Sequence, residues 1–186
     1  MKKLSSALFA LSLLLIQPAF ATEAAATQAQ KPEEVTLTFE LKGQNAPTLH
    51  IKEAPNGIVI EEYKGKIVLL NFFGKHCKWC MKEIPHLVSL QEKYKKDFQV
   101  VAIHAQQTMT PGERHLLEKK FHFNYPIYEY SDNPDFTQYI AHRAGWEGGL
   151  PFSIVFDKTG SAARIIPGYA PEEDIAQIIE ALEKTK

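Results

Sequence analysis

Strands and helices alternate along this chain, and the alternation predicts an α/β fold built on a largely buried sheet. Ile67 to Phe73 is apolar apart from Asn71, as a central strand covered on both faces is, and Phe98 to Ala105 reads as a second such strand. Between them Met81, Ile84, Leu87, Val88, Gln91 and Tyr94 recur at helical spacing, with Lys and Glu on the other side. A strand, helix and strand in that order form a crossover unit, so the two strands run parallel.

The remaining elements follow from local pattern. Val35 to Leu41 alternates apolar and polar residues at period two, and Thr48 to Lys52 and Gly57 to Ile60 are shorter strands between Gly, Asn and Pro. They make an N-terminal β extension. Thr110-Pro111-Gly112-Glu113 has a capping-box pattern with Pro at the first helical position, opening a helix that ends near His122. Tyr125 to Tyr130 is a short strand candidate, and Asp132 to Ala144 a helix closed by Gly145. Phe152 to Asp157 and Ala162 to Ile166 flank the turn Asp157-Lys158-Thr159-Gly160 as a hairpin. Pro171 begins a last helix whose buried stripe is Ile175, Ile178, Ile179 and Leu182. The order is βαβ, a helical insertion, then ββα.

The chain has 186 residues. Residues 1–21 combine Lys2-Lys3, the apolar run Leu4 to Ile16 and the small-x-small ending Ala19-Phe20-Ala21, the layout of a secretory signal peptide cut after Ala21. The alternative is a membrane-anchoring helix, for which the run is short against a span of about 20 residues. A simple signal with this start points to a bacterial periplasm. Residues 22–34, rich in Ala, Gln, Glu and Thr, read as a flexible lead-in, and residues 35–186 as one domain. Loss of Lys2 and Lys3 moves the formal charge from −1 to −3, a balance that argues against nucleic-acid binding.

The chain's two cysteines are Cys77 and Cys80, placed where the Ile67 to Phe73 strand gives way to the helix. A bridge between them as a structural staple would remove little unfolded-state entropy, because the loop is so short. Covalent haem attachment requires histidine after the second cysteine, and Met81 stands there. A structural zinc site needs a second tight pair of ligands, which the seven histidines do not supply. A redox dithiol remains, in a compartment that permits disulfides. No metal is expected, and no cofactor beyond the Cys77-Cys80 disulfide.

Several segments in register resemble the thioredoxin fold and, within it, the TlpA/ResA-like periplasmic thiol:disulfide oxidoreductases. Gly65 to Phe73 resembles the family's lead-in strand, Cys77-Lys78-Trp79-Cys80 its active-site motif, Glu83-Ile84-Pro85 its acid-x-Pro segment, and Gly149 to Asp157 its cis-proline loop with the following strand. The resemblance covers about Leu49 to the C-terminus. It implies a central mixed sheet flanked by helices, carrying the N-terminal β extension and the helical insertion. His76 in place of the usual Trp and the Lys78-Trp79 dipeptide depart from the pattern, and residues at these places set thiolate stability.

Cys77, at a helix N-terminus, is the expected nucleophile, its thiolate favoured by the helix dipole, Lys78 and protonated His76. Cys80 would resolve the mixed disulfide. The resemblance makes Glu83 the base that takes the Cys80 proton, because the buried aspartate of thioredoxins is Asn71 here; a solvated Glu83 that merely complements the dipole is the competing expectation. It also implies a cis Leu150-Pro151 bond against the disulfide, with the Leu150 backbone open to an extended substrate segment. Pro85, in mid-helix, is expected to be structural. Trp146, Trp79 and Phe73 are candidates for an apolar rim, at least one of them belonging to the core instead. The implied partners are protein disulfides, apocytochrome c among them, and a membrane thiol-electron transporter as reductant. A thiol oxidase or isomerase is the alternative. A Cu(I) metallochaperone recruiting His76, His86 or His104 is another, disfavoured because copper-delivery relatives usually space their cysteines by three residues.

Overall fold

The computed structural model describes residues 36–185, so the expected signal segment and lead-in lie outside the described residues. Three short strands come first, β1 (Thr38–Leu41), β2 (Leu49–Ala54) and β3 (Gly57–Ile60), paired antiparallel in that order. This small sheet is fastened to the turn after Phe156: Ile58 N–H donates to Gly160 O at 2.9 Å. A Cβ on Gly57 would collide with that same carbonyl, so the close approach requires glycine.

The main sheet has five strands in the order β6-β5-β4-β7-β8. Strands β4 (Ile67–Phe73), β5 (Phe98–His104) and β6 (Ile127–Glu129) run parallel, while β7 (Phe152–Phe156) and β8 (Ala162–Pro167) are antiparallel additions. Parallel pairing needs a crossover, and α1 (Lys78–Tyr94) supplies it between β4 and β5. The insertion contributes α2 (Pro111–Phe121) and α3 (Pro134–Ala144), and α4 (Glu172–Glu183) ends the chain.

Every residue of β4 is buried, and its side chains divide between two cores by the period of two. Ile67, Leu69 and Phe73 meet Leu87 and Leu90 of α1 and Ile175 and Ile179 of α4. Val68, Leu70 and Phe72 face the other way, toward Ile51 and Ile58 of the small sheet and Phe136 and Ile140 of α3. In α4 the stripe is narrower than expected: Ile175 and Ile179 are buried, while Ile178 and Leu182 are half-buried at its margin.

Prolines account for two shifted boundaries. Strand β6 starts at Ile127 because Pro126 has no N–H to offer a ladder, and it stops where Tyr130–Asp132 turns into a 3-10 helix. Helix α3 starts at Pro134 and not Asp132, since the residue before proline is pushed out of helical conformation; Asn133 has φ −138°. Helix α2 carries the expected capping box, with the Thr110 side chain accepting from Glu113 N–H and Glu113 accepting from Thr110 N–H.

Candidate active site

The C-terminal end of β4 hands the chain through Gly74-Lys75-His76 to Cys77, the N-cap of α1. Cys77 has extended backbone, and its sulfur accepts from Cys80 N–H at 3.1 Å. That geometry puts a free helix N–H on the sulfur, which favours negative charge there whenever the pair is reduced. The two cysteines are joined as a disulfide, with Cα atoms 5.2 Å apart. Cys77 is half-buried whereas Cys80 is 1% exposed, so an outside thiol or disulfide meets Cys77 first. His76, Lys78 and Trp79 are exposed around it.

Glu83, one helical turn after Cys80, is 2% exposed rather than solvated. It faces the sheet with Cys80 and Leu87, three residues before and four after, and not with the charged side of α1. Its Oε2 accepts from Asn71 Nδ2 at 3.1 Å and its Oε1 from Ala170 N–H at 3.0 Å. Burial pushes its carboxyl up to about 7, against the two hydrogen bonds that favour the charged form. Asn71 is 1% exposed and donates also to Ser153 Oγ at 3.0 Å, so one amide ties β4 to α1 and β7.

The Leu150-Pro151 peptide is cis. Phe72 pairs with Phe152, which sets Pro151 level with Phe73 at the cysteine end of β4. Pro151 O accepts from Gly168 N–H at 2.9 Å, and Leu150 packs in the same apolar cluster as both cysteines. Trp146 stacks on Phe152 and lies 4.6 Å from the Phe72 ring, while its Nε1 donates to Gly149 O at 2.7 Å and holds the loop that leads to Pro151. Phe73 is no rim residue: at 1% exposure it belongs to the core, on the α1 face of β4, against the rings of His104 and Phe123. Trp79, 53% exposed, is the aromatic on the surface.

Several neighbours of the site are silent in sequence. The Gly168-Tyr169-Ala170 turn is pinned at both ends, by Pro151 O and by Glu83 Oε1, and sets the Tyr169 ring 5.5 Å from Trp79. Tyr125 has a buried hydroxyl with no hydrogen-bond partner among the described residues; burial first, then the Glu83 charge, pushes its pKa up. Beneath the cysteine loop, His104 Nε2 accepts from Lys75 N–H at 3.2 Å and His104 Nδ1 meets Glu129 Oε2 at 2.8 Å, an arrangement that fits a neutral ring donating to Glu129. Arg114 completes this group at 2.7 Å from Glu129 Oε1, and Lys75 Nζ reaches Glu113 at 2.8 Å. Their contacts are 15 to 38 residues apart in the chain, beyond any local pattern. Among the described residues no group of three or more His, Cys, Asp and Glu is arranged to hold a metal ion, and His104 is already engaged.

The profile of the AhpC/TSA family matches residues 39–165, well over half of the chain. The chain belongs to the AhpC/TSA family. Among curated members it is 34% identical over 134 residues to the thiol-disulfide oxidoreductase ResA of Bacillus thuringiensis, covering 67% of this chain and 73% of that one. Of solved structures, a thiol:disulfide interchange protein of Chlorobium tepidum aligns with a TM-score of 0.59 at 24% identity over 67% of this chain and 86% of that one. The exposed lipoprotein thioredoxin Etrx1 of Streptococcus pneumoniae aligns with a TM-score of 0.59 at 19% identity over 78% and 100%. These two likenesses establish the thioredoxin-like fold. With AhpC/TSA membership and ResA relatives, the protein is an enzyme of the thiol-disulfide oxidoreductase class.

Proposed function

We propose that this family member is an extracytoplasmic protein-disulfide reductase working through Cys77 and Cys80, exported by cleavage after Ala21. The observation that carries it is the asymmetry of the pair: one reachable sulfur at a helix N-terminus, one buried sulfur, and a buried carboxyl near neutral pKa one turn beyond. Reduced Cys77, as thiolate, attacks a substrate disulfide, forming a mixed disulfide and releasing one substrate thiolate. Cys80 then passes its proton to Glu83 and attacks the Cys77 sulfur, releasing the second substrate thiolate and leaving Cys77-Cys80 oxidised. A carboxyl with a pKa of about 7 both accepts and returns that proton near neutral pH. Lys78, next to Cys77 in the chain, adds positive charge beside the attacking thiolate. No described residue bonds the Leu150 backbone N–H or C=O, which leaves both for an extended substrate segment.

The ResA relatives and the pattern of residues 1–21 support this reading, with apocytochrome c as the substrate and a membrane thiol-electron transporter as the reductant that the family resemblance implies. Three measurements test it. The pair should equilibrate at a more reducing potential than glutathione and be found reduced in living cells, and the native protein should begin at Thr22. An oxidised pair in cells with a strongly oxidising potential would instead make the protein an oxidase or isomerase. Cys80→Ala should accumulate mixed disulfides on Cys77.

A further inference from the structure

Beside the disulfide lies an uncovered platform of aromatic rings and cations. The indole of Trp79 and the ring of Tyr169 are 5.5 Å apart, His86 stands 5.9 Å from Tyr169, and Lys82 Nζ lies 4.3 Å from the Tyr169 ring and 5.5 Å from that of Trp79. Tyr169 is held between Pro151 O and Glu83 by its two neighbours' N–H groups, so the platform adjoins the site and does not drift from it. Trp79 leaves half of its surface in solvent.

The charge of this face is one-sided. Residues 75–86 carry Lys75, Lys78 and Lys82 with His76 and His86, against the single carboxyl of Glu83, which is buried and held by Asn71 and Ala170. Lys75 is neutralised by Glu113, but Lys78 and Lys82 pair with no carboxylate among the described residues. Glu172, at the start of α4, bonds to Ser89. The chain as a whole has a formal charge of −1, so the local excess of cations is not the overflow of a basic protein.

We infer that Trp79, Lys82 and Tyr169, with Lys78, form a recognition platform for substrate segments that carry carboxylate side chains next to their reactive cysteine. The rings supply a flat apolar surface for the segment, and Lys82 is held over them with no carboxylate beside it among the described residues. Cations that lack an internal partner raise the encounter rate of an acidic segment and lower that of a basic one. This rests on the reductase reading above, since it names the substrate class for the same disulfide.

The test uses reduced full-length mature protein and three synthetic peptides, each with one internal disulfide flanked by Glu, Ser or Lys. The second-order rate of peptide reduction should be about tenfold higher for the Glu peptide than for the Lys peptide at low ionic strength, the gap closing in about 0.5 M salt. Lys82→Glu should cut the Glu-to-Lys rate ratio at least threefold by slowing the acidic peptide and speeding the basic one, a crossed response that general damage does not produce. Tyr169→Leu, which keeps the charges, should slow all three peptides while leaving the ratio in place. A ratio near one in the parent protein, or a ratio that Lys82→Glu does not move, overturns the inference and leaves the reductase reading standing. Failure to reduce any of the three peptides overturns both.

Discussion

Glu83 and Glu129 are buried to nearly the same depth, 2% and 4% exposed, yet their surroundings differ in kind. Glu129 lies between the Arg114 guanidinium, which supplies the counter-charge, and the His104 ring, which supplies a neutral hydrogen bond, in a group that props the cysteine loop through Lys75 N–H. Among the described residues Glu83 has only neutral donors, the Asn71 amide and the Ala170 N–H, and the cost of burial keeps its carboxyl near 7. Burial with a counter-charge makes a scaffold, because removing either partner strands the other. Burial without one makes a group that exchanges its proton at working pH. The protein uses the first arrangement to hold the loop and the second within one turn of Cys80.

The largest effect should come from breaking the scaffold. Arg114→Ala leaves Glu129 without its guanidinium and should cost about 3–5 kcal/mol in chemical denaturation at neutral pH. A loss under about 1 kcal/mol would mean that His104 alone suffices and that the contrast is overdrawn.

Glu83→Gln should act in the opposite direction on stability. The folded carboxyl titrates near 7 against 4.5 when unfolded, so between these values the folded state binds more protons. Its contribution is complete below about 4.5 and is lost as pH rises through 7, a drop of about 3 kcal/mol in the parent protein. Gln resembles the protonated carboxyl and should not show that drop, so denaturation midpoints of parent and variant should diverge between about pH 5 and 8.

The same substitution should slow resolution of a Cys77 mixed disulfide about a hundredfold at pH 8, by stopped-flow mixing, and erase a rate inflection near pH 7. Glu129→Gln should keep that inflection, because both its carboxylate oxygens are engaged by His104 and Arg114. The smallest effect is expected from Asn71→Asp, which replaces a donor to Glu83 with a like charge. The inflection should move up by about one pH unit, the pair then titrating jointly; no movement would show that the amide does little for Glu83.

Sequence pattern carried the order of elements, the parallel pairing of the Ile67 and Phe98 strands and the Cys-x-x-Cys at a helix start, because these depend on periodicity and on neighbours within a turn. Glu83 sat at a spacing of three from Cys80 and four to Leu87, enough to place it on the inner face, but an amphipathic reading sorts a glutamate to the outside. Phe73 was open to either role until the sheet acquired helices on both faces and every β4 side chain became interior.

What the chain alone determined was which groups are available for chemistry: two thiols, a carboxyl one turn on and a proline loop before a late strand. Tertiary structure decided their state. The Glu83 carboxyl is raised toward neutrality because the fold buries it away from water, against the hydrogen bonds from Asn71 and Ala170 that favour its charged form. Lys78 and Lys82 pair with no carboxylate among the described residues, because none of those acidic side chains folds back to meet them. Solvation and counter-charge are properties of surroundings assembled from distant segments, so no window of neighbouring residues contains them.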